Sequence, residues 1–220
     1  KAIDPDTIAN PYTWSAALRA AGAAVRATDL VLDRKAENAF CAVRPPGHHA
    51  TRDQSMGFCF FNNAAIVAHH IATTRGVKVA VLDVDYHHGN GTQEIFYDRD
   101  DVLYLSLHGD PTRAYPYAIG FADETGTGRG LGANLNIPLP AHTGDDAYLS
   151  ALDTAMQKVT SFGAEVVVVS LGLDTFVTDP ICDLSVTTDG FRRCGEMVAQ
   201  AGLPTIVLQE GGYDVPNLGI

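Results

Sequence analysis

The sequence predicts an α/β fold with a mostly parallel central sheet and helices on both faces. Four segments, VKVAVLDVD, DVLYLSLH, AEVVVVSLG and LPTIVLQEGG, are too continuously apolar to have a solvent-facing side, which is typical of parallel strands covered on both faces. Helical stretches near residues 145–162 and 188–201 separate the later segments. Each segment also ends in polar or glycine-rich residues, as expected where parallel strands end at a ligand-binding edge.

The elements before these strands can be predicted in chain order. The segment NPYTWSAALRAAGAAVRATDLVL begins with an Asn-Pro helix-start signal, and helical spacing places Trp14, Leu18 and Val25 on one face. NAFCAV is a short strand, and GFCFFNNAAIVAHHIATTRG is a turn followed by a helix that ends at Gly76. The stretch 109–144 is rich in glycine, proline and aromatic residues, and we expect a long ordered loop there.

Length and composition favour one globular domain over residues 1–220, since the 220 residues are 46% hydrophobic. The formal net charge of -11 argues against nucleic acid as a partner and suits a cationic substrate. No apolar run approaches the roughly 20 residues of a membrane helix, so we expect a soluble, cytoplasmic protein. Because Lys1 is not a methionine and Ile220 closely follows an apolar strand, we expect a fragment truncated at both ends.

The four cysteines show no CxxC pair and no disulfide-scaffold density. Reduced thiols with ordinary structural roles are therefore expected, as in a cytosolic protein. They are Cys41, Cys59, Cys182 and Cys194.

The segment VLDVDYHHGNGTQ ends an apolar strand with several potential metal ligands. Residues two apart on a strand point the same way, so Asp83, Asp85 and His87 project together. Asp85 and His87 can share one ion, and Asp174, after VVVVSLGL, is the available third ligand. Three protein ligands leave a position for water, which is the arrangement of a catalytic zinc site.

A second histidine pair follows the strand NAFCAV. His48 and His49 lie in the Pro- and Gly-turned segment RPPGHHA, where a purely structural pair has little reason to occur. Two imidazoles beside a metal-bound water supply a general base and a second group that holds or delivers a proton.

Four blocks of the chain resemble the zinc-dependent histone deacetylase superfamily. VRPPGHHA, MGFCFFNNAAI, VLDVDYHHGNGTQEIFY and LQEGGYD follow the order of that family's signature blocks, and the match spans nearly the whole chain. The resemblance is to the class II and bacterial acetylpolyamine amidohydrolase branches. It implies an arginase-like α/β fold and a hydrolase that removes acetyl or short acyl groups from an aliphatic amine.

The resemblance also implies roles for residues of the metal site and the histidine pair. One Zn²⁺ per chain would be bound by Asp85, His87 and Asp174. His49 matches the general base and His48 the second, largely protonated histidine. The carboxylate behind His48 is Asp83, and the partner of His49 is Asn90, where class I members usually have Asp. Such partners set tautomer and basicity.

Tyr213 matches the tyrosine whose hydroxyl binds the scissile carbonyl and its oxyanion. Some vertebrate class II members have His there and are poor catalysts, so the tyrosine favours a working enzyme. An oxyanion donor accounts for about 10²- to 10³-fold in rate.

The substrate channel and a second cation are implied by the same resemblance. An apolar tube with a carboxylate at its rim would be formed by Gly57, Phe58, Tyr115, Ile181 and Asp6; most relatives have Phe where this chain has Tyr115. The family also binds a structural K⁺ near the zinc, which here would involve Asp83, Asp85, His87, Ser106 and Leu107.

The residues leave open whether the chain is an enzyme and which acetylated amine is its substrate. A non-catalytic, zinc-containing acyl-lysine binder or scaffold is the alternative to an enzyme, although no residue of the predicted machinery is lost. Acetylpolyamine is favoured over protein acetyl-lysine because SLHGDPTRAYPYAIGFADETG, LGLDTFVTDPI and EGGYDVPNLG look more like the polyamine branch. That branch also allows a homodimer. Iron or cobalt can occupy such Asp/His sites in place of zinc.

Other histidines are not assigned to the site. His88 lies beside a predicted ligand but points to the other side, so we expect a packed residue of the second layer. His108 ends a strand at the active edge and has no predicted role.

Overall fold

A computed structural model describes residues 1–219 and contains one sheet of six parallel strands. The strands are β1 (Asn38–Cys41), β2 (Val79–Asp83), β3 (Val102–Gly109), β4 (Asn134–Leu139), β5 (Val166–Leu171) and β6 (Thr205–Gln209). Their order across the sheet is β1-β6-β5-β2-β3-β4, and every neighbouring pair is parallel. The predicted fold class is therefore confirmed, and all six strands end at one edge.

In the described part of the chain, five helices cover the two faces of the sheet. They are α1 (Thr13–Leu32), α2 (Asn63–Arg75), α3 (Asn90–Phe96), α4 (Asp145–Phe162) and α5 (Thr188–Gln200), and short 3₁₀ turns occur at Gly128–Gly130 and Val215–Asn217. Alternate residues of β2 point to opposite faces: Val79 and Val81 pack with α1, α2 and α3, whereas Ala80 and Leu82 pack with α4 and α5. All four side chains are fully buried, which explains the continuous apolar run.

Helix α2 ends where its sequence predicts, and the structure shows which residue caps its start. The Asn62 side chain accepts a hydrogen bond from the Ala65 backbone N–H at 2.9 Å, which caps the first turn. Gly76 follows the last turn with φ of +68°, the left-handed conformation that glycine adopts without steric cost. These two signals define the start and the end of α2.

The face of α1 that packs on the core is not the one that Trp14, Leu18 and Val25 share. Trp14 and Leu18 are 67% and 49% exposed, and the residues that face the core are Ala17, Ala20, Ala24, Thr28 and Val31. Small side chains let α1 approach α2 closely, so the large apolar residues are displaced to the margin of this contact. Trp14 instead packs edge-on against Phe61, with ring centroids 5.3 Å apart.

Strand β4 lies within the stretch 109–144, which the sequence predicts to be a loop. Asn134, Asn136 and Pro138 make this segment unlike the other strands. Among residues 1–219, β4 pairs only with β3, and an edge strand tolerates proline because one side of its backbone has no partner strand there. The remainder of the stretch is mainly turns and coil, as predicted.

Helix α5 covers its face of the sheet loosely. Gly190 is its only buried residue among those the structure describes, and a cavity of about 990 Å³ lies between α4, α5 and the sheet. Its walls are largely apolar and include Leu152, Leu171, Phe176 and Phe191. None of the predicted site residues lines it.

Within residues 1–219, no helix combines the length and the hydrophobicity that crossing a bilayer requires.

Candidate active site

The predicted metal ligands meet at the carboxyl edge of the sheet. Asp85 and His87 follow β2, and Asp174 follows the adjacent strand β5. The His87 Nδ1 atom lies 3.1 Å from Asp85 Oδ1 and 3.0 Å from Asp174 Oδ2. The outer carboxylate oxygens accept backbone hydrogen bonds, from Gly211 N–H to Asp85 at 2.8 Å and from Tyr86 N–H to Asp174 at 2.9 Å. The two carboxylates are therefore held in fixed orientations.

A thiol that the sequence analysis did not assign also lies at this position. One potential ligand atom from each of His87, Asp174 and Cys182 falls within 4.8 Å of the others. Burial raises the pKa of the Cys182 thiol well above its usual range. Asp85, whose carboxylate lies 3.1 Å from His87 Nδ1, stays the predicted third ligand, and Cys182 lies beside the cluster.

The electrostatics of this cluster favour a bound cation. Burial, and then the charge of Asp85, raise the pKa of Asp174. Burial opposes protonation of His87, but its hydrogen bonds to both carboxylates outweigh that effect and raise its pKa well above the usual range. Two buried carboxylates and one imidazole nitrogen are donors that suit Zn²⁺, and a divalent cation would relieve their repulsion.

The histidine pair lies beside this cluster. The rings of His48 and His49 are 4.0 Å apart between centroids, and the His49 ring is 6.0 Å from that of His87. His48 Nδ1 is 3.0 Å from Asp83 Oδ2, and His49 Nδ1 is 2.8 Å from Asn90 Oδ1. These partners hold both Nδ1 atoms and leave both Nε2 atoms for chemistry.

The two histidines differ in their affinity for a proton. Burial lowers the pKa of His48, but the charge of Asp83 more than offsets this and raises it to about 10. Burial and the positive charge of His48 hold the pKa of His49 well below its usual range. At neutral pH these shifts favour an imidazolium at His48 and a neutral ring at His49. The acid and base roles that the family resemblance implies for the pair stay predictions.

Aromatic side chains surround the approach to His49. The Tyr115 ring lies 5.0 Å from that of His49, and the Tyr213 ring lies 6.4 Å from Phe58 and 6.5 Å from His87, all between centroids. A Cβ atom at Gly57 would approach the His49 ring to 2.5 Å, so only glycine fits there. The structure thus places Tyr115 against His49 and Phe58 against Tyr213.

The outer predicted substrate residues lie at the surface. Phe58 and Ile181 are 45% and 61% exposed. Asp6 is exposed and precedes Thr7, whose hydroxyl accepts a hydrogen bond from the Phe58 backbone N–H at 3.0 Å. The N-terminal segment is therefore attached to the channel wall, with Asp6 beside it.

A family model described as "Histone deacetylase domain" matches residues 1–219. The chain belongs to this family. It is 45% identical to "Acetylpolyamine amidohydrolase" of Mycoplana ramosa, over 98% of this chain and 63% of that protein. It is 41% identical to "Histone deacetylase 8" of Arabidopsis thaliana, over 97% of this chain and 59% of that protein. The family predicted from the four sequence blocks is confirmed.

A solved structure gives the same result. The crystal structure of acetylpolyamine aminohydrolase from Burkholderia pseudomallei matches with a TM-score of 0.93 and 46% identity, over 98% of this chain and 62% of that one. The chain thus spans less than two thirds of the length of these relatives.

The predicted K⁺ residues of this deacetylase domain are adjacent in the structure. Asp83 on β2 is in register with Ser106 on β3, and the buried Tyr104 hydroxyl donates to Asp83 Oδ2 at 3.1 Å. The Leu107 side chain packs in the apolar cluster beneath α4 and α5, so its backbone carbonyl is the group available to a cation. The K⁺ site stays a prediction.

A buried carboxylate of the deacetylase domain was missed by the sequence analysis. Glu210 is 7% exposed, and its Oε2 atom accepts hydrogen bonds from the Gly47 and His48 backbone N–H groups at 2.6 and 3.2 Å. Burial raises the pKa of this carboxyl to about 7. Its position in the block LQEGGYD was the available signal, because that block follows a buried strand at the active edge.

His88 is buried behind the ligands, as predicted. Its Nε2 atom lies 3.1 Å from Oε1 of Gln93 and 3.1 Å from Oδ1 of Asn136, and its ring is 4.7 Å from that of His108 between centroids. The Ser106 hydroxyl contacts His108 Nδ1 at 2.8 Å. These residues support β3 and do not reach the channel.

Proposed function

We propose that this chain is the catalytic part of a metal-dependent deacetylase that hydrolyses the amide bond of an acetylated aliphatic amine. The observation that carries the proposal is a neutral His49 whose ring lies 6.0 Å from that of His87, a member of the Asp85–His87–Asp174 cluster. A base, a cation site and a tyrosine hydroxyl around one channel are what acyl-amide hydrolysis requires.

The residues divide the reaction among them. Asp85, His87 and Asp174 would hold Zn²⁺, which as a Lewis acid activates water and polarises a carbonyl. The Nε2 atom of His49 accepts the proton of the attacking water, since Asn90 holds Nδ1. The Tyr213 hydroxyl donates to the oxygen that becomes negative, and the histidine pair returns a proton to the departing amine.

Acetylpolyamine is the substrate that we propose. Relatives named as acetylpolyamine amidohydrolases are 45% to 47% identical over 94% or more of this chain. An excess of 26 acidic over 15 basic residues attracts a cationic amine. Burial raises the pKa of Tyr115 to about 12, and the negative charges of Asp4 and Asp6 add to this effect. A carboxylate rim at this channel would attract the distal ammonium of a polyamine.

Turnover of three substrates tests the proposal: acetylputrescine, acetylspermidine and an acetyl-lysine peptide, each assayed with added zinc. We expect the polyamines to be preferred in kcat/KM. Tyr213→Phe should lower kcat about 10²- to 10³-fold without changing bound zinc, because one oxyanion donor is lost. Tyr12→Phe, at a residue that is 78% exposed, is the matched control and should be fully active.

Full activity of Tyr213→Phe would contradict the mechanism. Zinc binding without turnover of any of the three substrates would favour the non-catalytic binder instead.

A further inference from the structure

The histidine pair lies on a segment without regular secondary structure. Residues 42–50 form neither helix nor strand, so hydrogen bonds from other elements must hold His48 and His49 in place. The His48 carbonyl accepts from the backbone N–H groups of Gly91 and Thr92 at 3.1 and 3.2 Å. These contacts hold the His48 carbonyl group in place.

The backbone N–H groups of the same segment are held by Glu210. The N–H groups of Gly47 and His48 both donate to its Oε2 atom, at 2.6 and 3.2 Å. Gly47, His48 and Glu210 are all buried, so water does not replace this acceptor. One carboxylate oxygen thus satisfies two consecutive backbone donors immediately before the base His49.

Glu210 is itself held firmly. Its backbone N–H donates to the Leu171 carbonyl at 2.8 Å, and its Oε1 atom accepts from the Ser170 hydroxyl at 3.2 Å. Both partners belong to β5, the strand that leads to Asp174. The carboxylate therefore connects the histidine segment to the strand that carries a predicted metal ligand.

The residues after Glu210 contact the other side of the site. Gly211 donates its N–H to Asp85 at 2.8 Å, and the Tyr213 N–H donates to Asp179 at 2.9 Å. One short segment thus touches a predicted ligand, carries the predicted oxyanion donor and holds the histidine segment. A shift of its anchor would change the spacing of all three groups.

We propose that Glu210 is a positioning residue, which sets the location of the His48–His49 pair relative to the metal ligands and Tyr213. This inference rests on the proposed deacetylase function. The role of Glu210 requires an oxygen that accepts hydrogen bonds and does not require a negative charge, because the Gly47 and His48 N–H groups that it holds are neutral donors. A displacement of about 1 Å at a base costs on the order of 10²-fold in rate.

Two variants of the protein distinguish the role of Glu210 as a hydrogen-bond acceptor from its role in filling a buried volume. Glu210→Leu keeps the approximate volume and removes the acceptor, and it should lower kcat about 10²-fold with KM within about threefold of wild type. Glu210→Gln keeps an acceptor oxygen, and its amide can donate to Ser170, so it should be at least about tenfold faster than the leucine variant. Glu165→Leu, at an exposed glutamate, is the control and should be fully active.

Three results would overturn the inference. They are wild-type kcat in Glu210→Leu, equal losses in Glu210→Gln and Glu210→Leu, or a loss of bound zinc or of cooperative unfolding in Glu210→Leu. The last result would show a structural role only.

Hydrogen exchange at the Gly47 and His48 amides tests the same contact without an assay. Protection should be lost in Glu210→Leu and retained in Glu210→Gln, and unchanged protection in the leucine variant overturns the inference. A wild-type protein that turns over no substrate but shows this exchange pattern would contradict the proposed function alone.

Discussion

At the scale of single residues, the neighbours His48 and His49 have pKa values shifted in opposite directions, so that His48 favours the protonated form and His49 the neutral form. His48 faces a carboxylate at 3.0 Å, whereas His49 faces a neutral amide at 2.8 Å. Burial and the positive charge of His48 both disfavour protonation of His49, whereas its hydrogen bond to Asn90 favours it. The carboxylate of Asp83 therefore makes His48 the acid of the pair, and burial beside that charge keeps His49 the base.

Replacing the neutral partner should weaken the base at acid pH. Asn90→Asp adds a negative charge beside His49 Nδ1, which favours the imidazolium and raises the pKa of His49. The acid limb of kcat/KM should move to higher pH, with activity at its acid end about tenfold below wild type. A pH–rate profile of each protein measures this, with the surface substitution Asn10→Asp as control. An unchanged acid limb would show that His49 is not the titrating base.

At the scale of elements, the N-terminus of α2 is both a helix cap and a brace for the histidine segment. Besides capping the helix, the Asn62 side chain donates to the Ala50 carbonyl at 3.0 Å and to the Thr92 hydroxyl at 3.1 Å. The residue is buried, so these polar groups have no access to bulk water. The residue that caps α2 therefore also connects α2 and α3 to the active edge.

Asn62→Ala should destabilise the protein by about 3 kcal/mol, from the lost cap and from buried partners left without hydrogen bonds. Thr187→Ala removes the cap of α5, where the Thr187 hydroxyl accepts from Gly190 N–H at 3.2 Å in an exposed setting, and should cost about 1 kcal/mol. Urea denaturation with linear extrapolation measures both. Equal costs would mean that the buried contacts of Asn62 contribute nothing beyond the cap.

At the scale of the whole molecule, titratable groups are buried in their uncharged form behind the site. His108 is fully buried, and burial holds its pKa at about 4. An unfolded chain takes up this proton near pH 6.5. Between these values the unfolded state binds more protons than the folded state, so the free energy of unfolding falls as the pH is lowered.

We expect His108 to account for a loss of about 3 kcal/mol in unfolding free energy between pH 7 and pH 4. Denaturant titrations across this range should show a shallower pH dependence for His108→Gln than for wild type. His142→Gln, at an exposed histidine, should leave the wild-type dependence intact. A slope that is identical in all three proteins would be inconsistent with a neutral, buried His108.

The sequence alone was sufficient for five of the six strands, for the end of α2 and for the family. Those features depend on local signals, namely continuous apolar runs, capping residues and short blocks in a fixed order. It was insufficient for the buried face of α1 and for β4. The former depends on how closely α1 approaches α2, and β4 is an edge strand whose Asn and Pro residues resemble a loop.

The sequence by itself determined which groups are available for chemistry: Asp85, His87, Asp174, the histidine pair and Tyr213. Only the tertiary structure decided their protonation and support. Burial and contacts between residues far apart in the chain set the charges of His48 and His49 and place Glu210 beneath their backbone, 162 residues away from His48 in sequence. Interactions of this range depend on the assembled sheet, and no local pattern encodes them.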